Sequence, residues 1–102
     1  MTNPLAAGSL DGRRVLVTGS SRGIGADTVG YFAEAGASVV INYRNKAARA
    51  QKLADAITAA GGTAITVGAD LTDPASRTTL FDTIRAAYGG LDILVMNASG
   101  GM

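Results

Sequence analysis

Cysteine, histidine and tryptophan are all missing from the 102-residue chain. Without Cys there is no disulfide, no thiolate nucleophile and no Cys-ligated metal. Without His the commonest metal ligand and general base are gone, and no Ser-His-Asp triad can be built. Charge is scarce as well. Charged residues make up 17%, below the roughly 25% of an ordinary soluble chain. Nine Lys and Arg against eight Asp and Glu leave a net charge of +1. Nucleic-acid binders carry a marked basic excess, so no nucleic-acid partner is expected. No apolar run approaches the roughly 20 residues of a membrane span. The opening residues 1–10 lack the basic flank and apolar stretch of a secretory signal. The expectation is a cytoplasmic protein with no membrane partner.

What remains is enough for a core. Hydrophobic residues reach 47%, and the length suits one domain at roughly 100–150 residues each. Glycine is the excess, with 14 residues, about double the usual roughly 7%. The glycines fall mostly singly between apolar runs and therefore read as punctuation.

Asn3-Pro4 and Gly8-Ser9 mark residues 1–9 as a flexible N-terminal segment, with a single unit over residues 10–102. Within that unit two kinds of segment alternate. Val15-Leu16-Val17-Thr18, Val39-Val40-Ile41, Ala64-Ile65-Thr66-Val67 and Ile93-Leu94-Val95-Met96 are short, apolar and largely β-branched. Runs of this kind predict strands covered on both faces. Between them lie three stretches with helical spacing. Ile24, Val29, Phe32 and Ala33 lead to Gly36, a C-terminal stop. Ala47, Ala50, Leu53, Ala54 and Ile57 lead to Gly61-Gly62. In the third, Asp73 is an N-cap with Pro74 at the first helical position, and Leu80, Phe81, Ile84 and Tyr88 form the stripe before Gly89-Gly90. Gly30 inside the first helix is expected to let it lie close to a sheet. The order βαβαβαβ predicts an α/β fold, a doubly wound parallel sheet with helices on both faces.

The first strand runs into Thr18-Gly19-Ser20-Ser21-Arg22-Gly23-Ile24-Gly25, with a helix following at once. A glycine trio at the carboxyl end of the first strand of a βαβ unit is where a dinucleotide pyrophosphate is held. Gly19 would permit the turn, Gly23 the approach of phosphate, and Gly25 the packing of helix on sheet. First-turn N–H groups would face the anion. The plainer alternative is a strand-to-helix turn with no ligand. A phosphate loop of the NTPase type is excluded, because no Lys-Ser or Lys-Thr follows the glycines.

This Thr-Gly-x-x-x-Gly-x-Gly spacing resembles that of the short-chain dehydrogenase/reductases, in the subgroup that includes 3-oxoacyl-(acyl-carrier-protein) reductases. The likeness extends from Leu10-Asp11-Gly12-Arg13 through Asp70-Leu71-Thr72-Asp73-Pro74 to Asp92-Ile93-Leu94-Val95-Met96-Asn97-Ala98. It implies a Rossmann-type sheet in the order 3-2-1-4, a nicotinamide cofactor, and hydride transfer between that cofactor and a small-molecule carbonyl or alcohol.

A site for NAD usually places an acid about 20 residues beyond the glycines. No Asp or Glu lies between Glu34 and Asp55, and the second strand ends Ile41-Asn42-Tyr43-Arg44. Arg44 can donate a charged fork to a 2′-phosphate, and Arg22 supplies a second guanidinium. The resemblance implies that basic residues at these places mark NADP(H)-preferring members; the alternative is a pair of solvated surface charges. In similar enzymes Asp70 accepts from the adenine amino group, although it also suits a plain loop acid. Asn97-Ala98-Ser99 corresponds to the family's Asn-Asn-Ala-Gly, with Met96 and Ser99 departing from it. Cofactor contact is thus assigned to Gly19, Ser20, Ser21, Arg22, Gly23, Ile24, Gly25, Tyr43, Arg44, Asp70, Leu71, Asn97, Ala98 and Ser99, with no metal site.

The family's catalytic Tyr and Lys stand four residues apart. Tyr31, Tyr43 and Tyr88 are followed at that distance by Ala35, Ala47 and Asp92. No catalytic residue is assigned within residues 1–102. The chain reads as the NADP(H)-binding N-terminal half of a single Rossmann domain, expected to associate as a homo-oligomer or with its missing C-terminal half. The alternative is a non-catalytic dinucleotide-binding or interaction module.

Overall fold

The structure, a computed structural model, describes residues 3–97. The chain alternates β1 (Arg14–Val17), α1 (Gly23–Glu34), β2 (Ser38–Tyr43), α2 (Ala47–Ala59), β3 (Thr63–Gly68), α3 (Pro74–Tyr88) and β4 (Ile93–Val95). All neighbouring strands are parallel, in the order β3-β2-β1-β4. In register, Val15 faces Val39 on one side and Ile93 on the other.

Alternation along the strands sends successive side chains to opposite faces. Val15, Val17, Val39 and Ile41 pack with Val29 and Ala33 of α1 and with Ala50, Ala54 and Ile57 of α2. Leu16, Val40 and Val67 pack on the other face with Leu80 and Ile84 of α3. The helices therefore cover both faces, and all four strands aim their carboxyl ends at one rim.

The helix ends follow the expected chemistry. Asp73 caps α3 by accepting from Ala75 N at 3.3 Å, with Pro74 opening the helix. Beyond α1, Gly36 N donates to Ala33 O and Ala37 N to Phe32 O, both at 3.1 Å; Gly61 and Gly62 close α2 in the same way onto Thr58 O and Ile57 O. This paired pattern satisfies carbonyls that a helix end would otherwise leave bare. At the amino end, Asn3 Nδ2 donates to Tyr31 O at 3.0 Å and Leu10 N to Ala35 O at 2.9 Å, tying the segment to α1.

Four expectations are corrected. Ile24 is 78% exposed, because the buried row of α1 is Gly25, Val29 and Ala33, spaced four apart. Phe81 is exposed by the same logic, one position out of phase with Leu80 and Ile84. A Cβ on Gly30 would meet nothing within 4 Å, so that glycine is not what seats α1 on the sheet. Finally, among the described residues one face of β4 has no cover: Leu94 is exposed there, and β4 pairs only with β1.

Candidate functional site

A parallel sheet gathers every strand's carboxyl end at one rim, and a cleft of about 540 Å³ opens there. Gly19, Ser21, Arg22 and Gly23 line it from the loop after β1, and Asn97 lines it from beyond β4. Tyr43, Arg44, Asn45, Lys46 and Arg49 line it from the end of β2 and the start of α2.

The loop is shaped for close approach. Gly19 and Gly23 have φ of +61° and +63°, a region that costs a side-chain-bearing residue about 1–2 kcal/mol. A Cβ on Gly23 would project into open space, the room a phosphate needs. Gly25 is the opposite case: its Cβ would stand 2.6 Å from Asn97 Nδ2 and 2.7 Å from Gly19 O, so only glycine lets α1 sit this close. The first intrahelical bond at the head of α1 is Ala26 N to Arg22 O at 3.3 Å. Arg22 provides no side-chain cap, and no acid occupies the first turn. The N–H groups ahead of that bond, with the positive end of the helix dipole, suit an anion.

The cleft's charge has one sign. Arg22, Arg44, Lys46 and Arg49 line it with no carboxylate among them. Arg44 Nη2 reaches Asp70 Oδ2 at 3.4 Å, with both side chains well exposed. Asp70 is held below the usual carboxylate range chiefly by the Thr72 hydroxyl, which donates at 2.6 Å, then by the Thr72 amide, with a smaller pull from Arg44.

Polar bonds knit the rim together. Thr18 N donates to Val95 O at 3.0 Å, and Asn97 N donates to Thr18 Oγ1 at 2.8 Å. Asn97 Nδ2 donates to Gly19 O at 3.2 Å. Thus β1, its loop and the end of β4 hold one another.

Of the residues assigned from sequence, Gly19, Ser21, Arg22, Gly23, Tyr43, Arg44 and Asn97 line the cleft. Ser20 is fully buried, its hydroxyl accepting from Asn42 N at 3.0 Å. Ile24 points to solvent, Gly25 lies beneath the loop, and Leu71 packs against the α3 core. Asp70 joins the rim through Arg44. Ala98 and Ser99 lie outside the described residues. Sequence reasoning missed Asn42, Asn45, Lys46 and Arg49. The two cations were legible as a basic pair opening α2, but no local pattern aimed them at the glycine loop. Among the described residues no group of Asp and Glu could hold a metal, and no helix is long and apolar enough to cross a membrane.

A β3-β2-β1-β4 sheet with a glycine loop and a cationic cleft at its carboxyl rim defines a Rossmann-type nucleotide-binding unit. The short chain dehydrogenase family profile matches residues 13–102. Elsinochrome reductase 1 of Elsinoe fawcettii is 49% identical over 94 residues, covering 92% of this chain and 35% of that protein. A short chain dehydrogenase from Burkholderia cenocepacia, solved in complex with NADP, superposes with a TM-score of 0.83 at 48% identity, over 88% of this chain and 37% of that one. A dehydrogenase/reductase from Sinorhizobium meliloti gives 0.86 at 43% identity, over 89% and 36%. The chain belongs to the short chain dehydrogenase family, whose members are oxidoreductases that use a nicotinamide cofactor. It spans about a third of the length of the relatives it matches.

Proposed function

We propose that residues 10–102 form the NADP(H)-binding half of a Rossmann domain in an oxidoreductase acting on a small carbonyl or alcohol. One observation carries the reading: Arg22 and Arg44 line the same cleft as the glycine loop, with Lys46 and Arg49 beside them and no carboxylate in the lining. A ribose 2′-phosphate is a dianion that guanidinium forks suit, and an acid in the place of Arg44 would repel it.

The residues fit the group. The loop and the head of α1 would take the pyrophosphate, Arg22 and Arg44 the 2′-phosphate, and Asp70 the adenine amino group once Arg44 turns to the anion. Asn97, which lines the cleft, would contact a cofactor ribose. When bound, the nicotinamide gives or takes the hydride. The Burkholderia relative's complex with NADP is consistent with this choice.

The test is cofactor titration of the protein expressed from its full coding sequence, followed by nicotinamide fluorescence. NADPH should bind at least about tenfold more tightly than NADH, the weight of one charged hydrogen bond. Equal affinities would remove the 2′-phosphate reading. Binding of NADPH without its oxidation by any of a panel of ketones would favour a non-catalytic module over an enzyme.

A further inference from the structure

The β1–β2 ladder ends at the pair Val17 and Ile41. Beyond it β1 turns away into the glycine loop, while β2 continues to Tyr43. Asn42 stands where the ladder has run out, 3% exposed. Its Oδ1 accepts from Gly19 N at 3.0 Å, and its Nδ2 donates to Val67 O on β3 at 3.4 Å. Its backbone is committed to the same loop: Asn42 N donates to Ser20 Oγ and Asn42 O accepts from Ser20 N, both at 3.0 Å.

We infer that Asn42 is the positioning residue of the glycine loop, holding Gly19 in its left-handed conformation and fixing the loop to the strand that leads into Arg44. Gly19 has no side chain with which to hold itself, so its two peptide groups must be held from outside. Asn42 Oδ1 takes its N–H and Asn97 Nδ2 approaches its carbonyl at 3.2 Å. The task needs an acceptor and a donor on one short, planar group. Aspartate lacks the donor that reaches Val67 O, and leucine of similar size lacks both.

The placement makes this more than a stabilising contact. Asn42 lies two residues before Arg44, which follows directly on the end of β2. Asn42 thus ties the loop to the strand end from which Arg44 extends, and so sets where the pyrophosphate end of the site begins relative to the 2′-phosphate end. Misplacing the loop should weaken a ligand fragment held there while leaving one held by the cations alone unchanged. The inference rests on the loop being the pyrophosphate cradle.

The experiment compares Asn42→Leu and Asn42→Ser with the unmodified full-length protein, using two probes. ADP-ribose reads the loop, and adenosine 2′-monophosphate reads the cation end. Ile84→Val, a core change under α3, serves as a control for lowered stability. Both Asn42 variants should lose about tenfold or more in ADP-ribose affinity while adenosine 2′-monophosphate changes by less than about twofold; the control should alter neither. Unchanged ADP-ribose binding, or equal losses for both probes, would overturn the assignment. Failure of the unmodified protein to bind ADP-ribose would instead sink the cradle reading, and the assignment with it. Should neither variant fold, hydrogen exchange on the unmodified, ligand-free protein decides. A protected Gly19 amide supports the clamp, and an amide exchanging as an open loop does refutes it.

Discussion

Arg44 and Asp70 meet at 3.4 Å across the ends of β2 and β3, each still well exposed to solvent. An exposed pair of this kind holds weakly, so Arg44 is free to exchange the carboxylate for a better anion. Replacing Arg44 by Asp should remove about 1.5–3 kcal/mol of charged hydrogen bonding to a 2′-phosphate and set two carboxylates together. NADPH affinity should fall by about tenfold or more, with NADH the smaller loser. Parallel fluorescence titrations of both cofactors check this, and a variant that keeps its preference contradicts it.

Gly25 and Gly30 share α1 but sit in opposite surroundings. A methyl on Gly25 would strike Asn97 Nδ2 and Gly19 O, and the second is backbone that cannot swing aside. Gly25→Ala should therefore cost about 1–3 kcal/mol of overpacking and weaken ADP-ribose binding. Gly30→Ala meets open space and should stabilise the protein by about 0.5–1 kcal/mol, the helical preference for Ala. Urea unfolding of the two variants side by side reads the contrast; a shared sign would refute it.

Acid should loosen the link between β1 and β4. Arg14 Nε and Nη2 donate to Asp92 Oδ2 and Oδ1 at 2.9 and 3.0 Å, and Arg14 N donates to Oδ2 at 2.9 Å. The Arg14 side-chain bonds, and next its amide, hold the Asp92 carboxyl down at about 2. The folded value lies below the unfolded one of about 3.9. The stabilisation is thus full above that value and lost as pH falls through about 2. Asp92→Asn should cost stability at about pH 7 and cost progressively less below about pH 4. Urea unfolding across that range measures it, and a penalty independent of pH would show that the carboxylate's charge is not what matters.

How much was legible depended on whether a residue's role was local. Asp73 and Pro74 announce the start of α3 because capping needs only the next few amides. Gly36 and Gly61-Gly62 mark helix ends for the same reason. The phase of a helix against its sheet is not local. Ile24 and Phe81 fitted an apolar stripe by spacing, yet lie outside the rows that face the strands. Gly25 was given its packing role because it belongs to the loop motif, whereas Gly30, given the same role, meets open space, since nothing near it in the sequence says which side the sheet lies on.

The sequence alone determined the βαβαβαβ order, the parallel sheet and the place of the glycine loop. Each follows from apolar runs and glycine stops that act over a few residues. Tertiary structure decided what that loop touches. Asn42 carries no local signal, since an amide closing an apolar strand looks like the strand's polar end. It becomes the partner of Gly19, 23 positions earlier, only when β1 and β2 align. Lys46 and Arg49 likewise read as the polar side of a helix until β2 delivers the head of α2 to the cleft. Hydrogen bonds and charge act through space over a few ångströms, and only the folded chain sets which residues stand that close.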